Sequence, residues 1–268
     1  MNADGRQLRL DLTQVAHGGE AIGRWEGKVV FVPFAIPGET VRVRLTQERR
    51  SYARAELLEV IDPSPDRVEP PCPYFGTCGG CQWQHVAYPR QLELRLDIIV
   101  DQMRRLGHVG EPPIAGIVAA DDAWGYRNNI QLRPAPRPKT SHGSTQTTDE
   151  HRSTQMGGEA GDAMAPDDAP ERAPALGFVG VDGRTVMPIE RCLLAHDLVD
   201  ELHASLEMDV PHLARVTLRA GVNTGERLIL LETETEESPE IVLEETVSVV
   251  QATGKGELYT LAGTPYFH

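Results

Sequence analysis

Three of the four cysteines of this chain lie within one ten-residue loop, and this loop restricts the fold more than any other feature. Cys72, Cys78 and Cys81 have the spacing Cys-x5-Cys-x2-Cys, and Cys192 follows far along the chain. Four thiolates suit a zinc ion or an iron–sulfur cluster, because both centres accept tetrahedral sulfur ligands. Three ligands on one loop leave a position that a distant cysteine can close. We therefore predict a metal centre on these four residues.

Other interpretations of the cysteines are four buried thiols without a metal and a redox Cys-Gly-Gly-Cys dithiol. A redox dithiol is typical of a strand-to-helix turn, whereas Cys81 is followed by Gln-Trp-Gln-His and a helix signal starts only at Pro89. Zinc loops usually contain two Cys-x2-Cys motifs, and this chain has one. The residues by themselves leave zinc and a cluster open. For His85, next to the loop, we predict a hydrogen-bonded role rather than a ligand role.

The acidic charge of the chain is concentrated in its last third. The formal net charge is −14, but residues 1–60 contain nine basic and eight acidic residues, against six and 16 in residues 176–268. Local charge decides contact with phosphates, so RNA remains a candidate partner. No basic start precedes an apolar run, and no apolar run could span a bilayer. We expect a cytoplasmic monomer without a membrane partner, in a reducing compartment that disfavours disulfides.

Short alternating segments separated by turn residues predict a small OB-like β-barrel in residues 1–62. Strands are expected at about 8–12, 28–34, 41–45 and 53–61. Barrels of this type often bind RNA or single strands. The candidate RNA contacts on the barrel are Arg24, Lys28, Arg42 and Arg44. A strand that merely faces solvent would show the same alternation, so the pattern leaves both interpretations open.

The rest of the chain predicts an α+β central domain that contains the four-cysteine centre, which makes the whole protein a β-rich α+β fold. Residues 63–134 contain the cysteine loop, a helix at 89–106 and a strand at 124–133. The predicted core face of the helix comprises Leu92, Leu96, Ile99, Met103 and Leu106. Residues 135–175 lack hydrophobic periodicity and predict a disordered insertion.

Residues 176–268 predict the remainder of the central domain. Two strands at 176–181 and 185–189 are separated by Asp182-Gly183, a hairpin turn signal. A helix is expected to follow His196 and to end near Glu207, before further strands. Cys192 lies between the hairpin and the helix, so a metal centre would connect the two sides of the insertion.

The sequence resembles the RNA uracil-5-methyltransferases that carry a TRAM domain. The resemblance rests on the barrel segments 18–23, 29–33 and 36–39, on the cysteine loop with Cys192, and on Tyr126-Arg-Asn128. It implies that the four cysteines hold a [4Fe-4S] cluster, with zinc as the alternative cofactor. It also implies that the barrel is a TRAM domain binding rRNA or tRNA, and that Arg127 and Asn128 lie near this RNA.

The same resemblance implies a C-terminal S-adenosylmethionine-dependent methyltransferase domain, for which this chain shows no counterpart. All four cysteines match the cluster, which leaves none as a nucleophile, and no glycine-rich cofactor loop follows a strand. We therefore assign no catalytic or cofactor-binding residue, expect S-adenosylmethionine only in the full-length protein, and expect this chain alone to be inactive. Residues 259–268 resemble a linker into that absent domain. The alternatives are a stand-alone RNA-binding module with a structural metal cluster and an electron-transfer protein.

Overall fold

The β-rich architecture consists of a closed five-stranded barrel and a seven-stranded sheet, with two α-helices among the described residues. The computed structural model describes residues 5–135, 175–206, 210, 212–234, 247–252 and 258–262. The predicted fold class, with a barrel at the N-terminus, is confirmed. The predicted insertion at 135–175 lies outside the described residues, apart from its first and last position. Neither described helix combines the length and the apolar character needed to cross a membrane.

The barrel is closed because its first and fourth strands pair with each other. The neighbours β3 and β5 are parallel, and the other adjacent pairs are antiparallel. Period-two alternation places Val41, Val43 and Leu45 in the barrel core and Arg42 and Arg44 outside it. The strands are β1 (Gln7–Val15), β2 (Ala21–Trp25), β3 (Lys28–Val32), β4 (Thr40–Glu48) and β5 (Tyr52–Asp62).

Helix α1 (Tyr88–Arg105) lies one residue before the predicted position and has a proline in its first turn. Its predicted core face was wrong. The structure buries Leu94 and Ile98, whereas Ile99 and Leu106 are 46% and 67% exposed. The helix carries two apolar stripes, and the one that contacts β1 and the end of the cysteine loop is the one that is buried.

The second sheet has the strand order β12-β11-β10-β9-β6-β7-β8. Among its described pairs, β10 and β11 are parallel and the others are antiparallel. Its strands are β6 (Asn129–Pro134), β7 (Leu176–Val179), β8 (Val186–Pro188), β9 (Leu213–Ala220), β10 (Arg227–Thr233), β11 (Val247–Ala252) and β12 (Leu258–Ala262). Helix α2 (Asp197–Ala204) buries Val199 and Leu202 in the core beneath β9 and β10.

The strand predicted at 124–133 begins only at Asn129, because the residues before it form a turn. Gly125 adopts φ 62°, and its N–H donates to the Leu193 carbonyl at 3.0 Å. The N–H of Arg127 donates to the Leu194 carbonyl at 2.8 Å. This turn is therefore attached to the segment that contains Cys192 rather than to a neighbouring strand.

A buried ion pair joins the barrel to the start of the cysteine loop. The Glu39 side chain is 0% exposed, and its carboxylate accepts hydrogen bonds from Arg67 Nε at 2.6 Å and Nη2 at 2.8 Å. The Ile36 N–H also donates to it at 2.9 Å. Burial by itself would raise the pKa of Glu39, but the bonds from Arg67 and Ile36 hold that pKa below its ordinary value. The carboxylate is therefore charged at neutral pH.

A second connection between barrel and loop depends on a glycine. Trp83 Nε1 donates to the Gly19 carbonyl at 2.8 Å. Gly19 has φ +88°, and a Cβ atom there would lie 2.8 Å from the same indole nitrogen. Only glycine combines this backbone conformation with so close an approach. The turn after β1 and the cysteine loop are thus fixed relative to each other.

Candidate metal centre and adjoining groove

The structure brings all four cysteines together around one small cavity. Cys72, Cys78 and Cys81 come from the loop between β5 and α1, and Cys192 comes from the segment between β8 and α2. Tyr74 and Phe75 from the loop and Phe178, Ile189, Leu193 and Leu194 from the sheet side complete its apolar wall. The metal-binding side chains that this lining offers are the four thiols and the Gln84 amide, and no carboxylate or imidazole belongs to it among the described residues.

The cysteine loop is held against the β7–β8 hairpin by backbone contacts. The N–H of Gly79 donates to the Val179 carbonyl at 3.0 Å, and the N–H of Val181 donates to the Thr77 carbonyl at 2.9 Å. A Cβ atom on Gly79 would lie 2.8 Å from the Val179 oxygen, so a larger residue would push the hairpin away. The glycine pair before Cys81 thus permits the approach that places Cys78 beside the sheet.

Cys192 is positioned by the start of α2. Its N–H donates to Asp200 Oδ1 at 3.2 Å, and its carbonyl accepts from the Ala195 N–H at 2.9 Å. Asp200 also pairs with Arg191 at 2.8 Å. These contacts form a turn that directs the 192–194 segment into the cavity.

Two of the thiols, Cys78 and Cys81, lie in an environment that opposes their ionisation unless a cation is near. Burial raises the pKa of Cys78 and of Cys81 above the ordinary value for a thiol. Neighbouring cysteines raise these pKa values further, whereas the Gly80 N–H, 3.4 Å from Cys78 Sγ, and the Arg127 guanidinium lower that of Cys78. A metal ion supplies the positive charge that converts such thiols to thiolates.

The metal prediction itself stays a prediction. Within the described parts of the chain, no three His, Cys, Asp or Glu side chains form a group that could hold a metal ion as they stand. The four sulfurs share a cavity, and their donor chemistry fits zinc or an iron–sulfur cluster.

His85 is not part of the cavity lining and packs against the rings of Phe34 and Phe75. It is 2% exposed, and neither ring nitrogen makes a hydrogen bond of standard geometry to the described residues. A hydrogen bond to the Ala35 backbone still acts on the imidazole, so the predicted hydrogen-bonded role stays a prediction, and the ring also packs against two phenylalanines. Burial lowers its pKa to about 4, with Arg67 adding to this effect, while the Ala35 backbone opposes it. The imidazole is neutral at pH 7.

Three of the predicted RNA contacts on the barrel are paired with carboxylates. Lys28 pairs with Glu48, and Arg42 pairs with Glu59. Arg44 Nη2 lies 2.6 Å from an oxygen of Glu56. The fourth, Arg24, is exposed and lines a groove between the barrel and α1. RNA contact by these four residues stays a prediction, and for the first three a phosphate would have to displace a glutamate.

Of the other two predicted contacts, Arg127 lines the cysteine cavity, and Asn128 follows it in the chain. Arg127 lines both this cavity and a larger groove on its outer side, whereas the exposed Asn128 accepts a hydrogen bond from Asn129 Nδ2 at 3.1 Å. We call the larger one the junction groove. It is bounded by residues 17–19 of the barrel, residues 80–84 of the cysteine loop, the first two turns of α1 and residues 117–127.

Sequence reasoning missed the aromatic residues of the junction groove. Trp83, Trp124 and Tyr126 all line it, although they come from two separate segments. Tyr126 belongs to the motif Tyr126-Arg-Asn128, but only Arg127 and Asn128 were predicted to contact RNA. Nothing in the sequence indicates that the two segments converge, because their contact depends on the turn at 125–127 pairing with 193–196.

Comparison with known proteins links this architecture to RNA methyltransferases. The family described as TRAM domain matches residues 3–58, which contain most of the barrel. A protein of Aquifex aeolicus named as an uncharacterized RNA methyltransferase is 30% identical over 79% of this chain and 39% of its own length. A Shewanella amazonensis protein named 23S rRNA (uracil(1939)-C(5))-methyltransferase RlmD is 41% identical over 47% of this chain and 28% of its own length. The chain thus spans well under half the length of these curated relatives.

One solved structure shares the fold of the chain. It is the crystal structure of Pyrococcus abyssi tRNA (uracil-54, C5)-methyltransferase in complex with S-adenosyl-L-homocysteine. The match has a TM-score of 0.53 at 17% identity and covers 97% of this chain and 60% of the other. Together these comparisons confirm the family resemblance drawn from the sequence.

Proposed function

Because the chain belongs to the TRAM-domain RNA uracil-5-methyltransferase family, we propose that it is the RNA-binding and iron–sulfur portion of such an enzyme. The full-length protein would transfer a methyl group from S-adenosylmethionine to uracil C5 of rRNA or tRNA. The observation that supports this most directly is the four-cysteine cavity directly after a barrel that matches the TRAM domain.

The cofactor proposed for this cavity is a [4Fe-4S] cluster on Cys72, Cys78, Cys81 and Cys192. When bound, it would connect the cysteine loop to the sheet and keep their separation constant. Arg127 lowers the pKa of Cys78 and of Cys81 and would offset part of the negative charge that four thiolates bring. Zinc is the alternative cofactor, since both centres accept four thiolates.

The residues of this chain are proposed to bind and position RNA rather than to perform chemistry. All four cysteines line one cavity, so none is left to act as a nucleophile toward uracil. We propose no catalytic residue and no S-adenosylmethionine site among the described residues, and residues 1–268 alone should not transfer methyl groups.

The proposal is tested by preparing the chain anaerobically and measuring iron, acid-labile sulfide, the absorption spectrum and RNA binding on the same sample. Four irons and four sulfides per chain with a broad visible band, together with salt-dependent RNA binding, are expected. Stoichiometric zinc without sulfide would replace the cluster by the alternative cofactor. Absence of RNA binding would contradict the proposed function.

A methyl-transfer assay with labelled S-adenosylmethionine and unmodified rRNA or tRNA tests the second part. No incorporation above background is expected. Robust incorporation would show that the chain holds a catalytic centre, and the assignment of the cysteines would then be wrong. The second candidate, a stand-alone RNA-binding module, predicts the same binding data but no methyltransferase continuing in the same reading frame.

A further inference from the structure

The junction groove combines one exposed and three half-buried aromatic rings with two arginines that pair with no carboxylate of the described residues. It has a volume of about 460 Å³, within the range of roughly 300–1,000 Å³ typical of sites for small ligands. Its aromatic lining comprises Trp83, Tyr88, Trp124 and Tyr126. Two of these residues are held by hydrogen bonds, since Trp83 donates to the Gly19 carbonyl and Tyr88 Oη accepts from the Ala120 N–H at 2.9 Å.

Tyr126 is an exposed residue of this lining, with 59% of its surface accessible. Among the large hydrophobic residues of the lining, only Val118 is more exposed. The backbone of Tyr126 is nevertheless fixed, because the N–H groups of both neighbours donate to carbonyls of the 193–194 segment at 3.0 and 2.8 Å. A ligand that stacks on this ring orders only two side-chain torsions, which keeps the entropic cost low. An exposed aromatic ring on a fixed backbone is suited to recognition rather than to core packing.

The charges of the groove differ from those of the barrel surface. The Arg95 guanidinium lies over the Trp83 ring, 5.2 Å from its centroid, and Arg127 also lines the groove. Neither Arg95 nor Arg127 pairs with a carboxylate of the described residues. The ion pairs among those residues involve other arginines. Asp122, the acidic residue of the lining, accepts the Trp124 N–H at 2.9 Å. Cations beside stacking rings characterise sites for single-stranded nucleic acid.

The geometry points to a site for one unpaired nucleotide of single-stranded RNA in the junction groove, with the base stacked on Tyr126 and the adjoining phosphates facing Arg95 and Arg127. This inference rests on the RNA binding proposed above and assigns it a location. Gly80, Cys81 and Gln84 line both the groove and the cysteine cavity. The loop that carries the cysteines thus also forms a wall of the nucleotide site.

The test compares Tyr126→Ala and Tyr126→Phe with the unchanged chain by fluorescence anisotropy of a short fluorescein-labelled oligouridylate. Tyr126→Ala should weaken binding roughly 5- to 150-fold, the range observed when a stacking side chain is truncated. Tyr126→Phe should retain most of the affinity, because the ring is kept. Val181→Ala, at another exposed hydrophobic residue outside the groove, is the matched control and should bind like the unchanged chain.

A second oligouridylate with abasic nucleotides separates stacking from charge. The unchanged chain should bind it more weakly, and Tyr126→Ala should cause no further loss. Equal affinity of all variants for the first oligonucleotide would overturn the nucleotide site and leave RNA binding intact. Equal losses in Tyr126→Ala and Tyr126→Phe would overturn stacking as its basis. No binding by the unchanged chain would overturn the proposed function and the site together.

Discussion

The outer face of the barrel and the junction between barrel and cysteine loop both carry arginines, but they use them differently. On the outer face, Arg42 and Arg44 lie opposite Glu59 and Glu56 on the neighbouring strand and pair with them. At the junction, Arg67 makes a buried pair, whereas Arg95 lies over an aromatic ring. The number of arginines on a surface therefore does not measure its capacity to bind phosphate, because neighbouring carboxylates can already occupy the guanidinium groups.

The largest expected effect comes from removing one thiol of the cysteine cavity. Cys192→Ser should lose most of the bound iron and roughly 3 kcal/mol or more of unfolding free energy, because metal binding contributes to folding directly. Iron analysis and denaturant unfolding measure the two quantities. Thr77→Ser, at an exposed position of the cysteine loop, is the control. Unchanged iron content in Cys192→Ser would exclude this residue as a ligand.

The second largest effect is the difference in unfolding free energy between losing a buried ion pair and losing an exposed one. Arg67→Met leaves the Glu39 charge buried without its partner and should lower the unfolding free energy by about 3 kcal/mol. Arg44→Met removes an exposed pair and should cost less than about 1 kcal/mol. Urea unfolding of both variants gives the comparison. Similar costs would mean that the junction is no more dependent on its ion pair than the outer face.

His85 should make stability depend on pH. Its pKa in the folded protein, about 4, lies below the value of 6.5 for an exposed imidazole. The stability linked to His85 is therefore fully present above about pH 6.5 and is lost as the pH falls toward 4, by up to about 3 kcal/mol. Unfolding free energies of the unchanged chain and of His85→Gln between pH 7 and pH 4 measure this difference. Parallel pH curves would contradict a buried neutral imidazole.

The smallest effect, and the most direct test of the comparison, concerns RNA. Arg95→Gln and Arg44→Gln each remove one positive charge, so their effect on net charge is matched. We expect Arg95→Gln to weaken oligouridylate binding about tenfold and to reduce the salt slope by about one, as for loss of a phosphate contact. Arg44→Gln should change affinity little. The reverse order would place the RNA on the outer face of the barrel.

Much of the fold was predictable because it depends on local patterns. Alternation in residues 41–45 identified the inner and outer faces of β4 correctly, since a strand in a barrel has one buried face. Pro89 indicated the start of α1 to within one residue. The choice between the two apolar stripes of α1 failed, because periodicity describes the helix by itself and the barrel decides which stripe is covered.

The candidate site was predictable only in part for a related reason. The spacing of Cys72, Cys78 and Cys81 indicated a shared centre, since three thiols on one loop lie close in any fold. Tyr126 and Trp83 carry no comparable signal, because they meet through backbone pairing between distant segments. The packing of His85 against Phe34 and Phe75 was not predictable either, because Phe34 lies far from it along the chain.

Local patterns along the chain were enough to predict four of the five barrel strands, the cysteine loop and the family. Strand β2 (Ala21–Trp25) was not among the predicted strands. The tertiary structure alone decided which arginines are paired, which helix stripe is buried and which aromatic rings line the junction groove. These depend on segments such as 17–19, 80–84 and 117–127 meeting in space. Burial and pairing are properties of neighbours, and a sequence lists neighbours along the chain only.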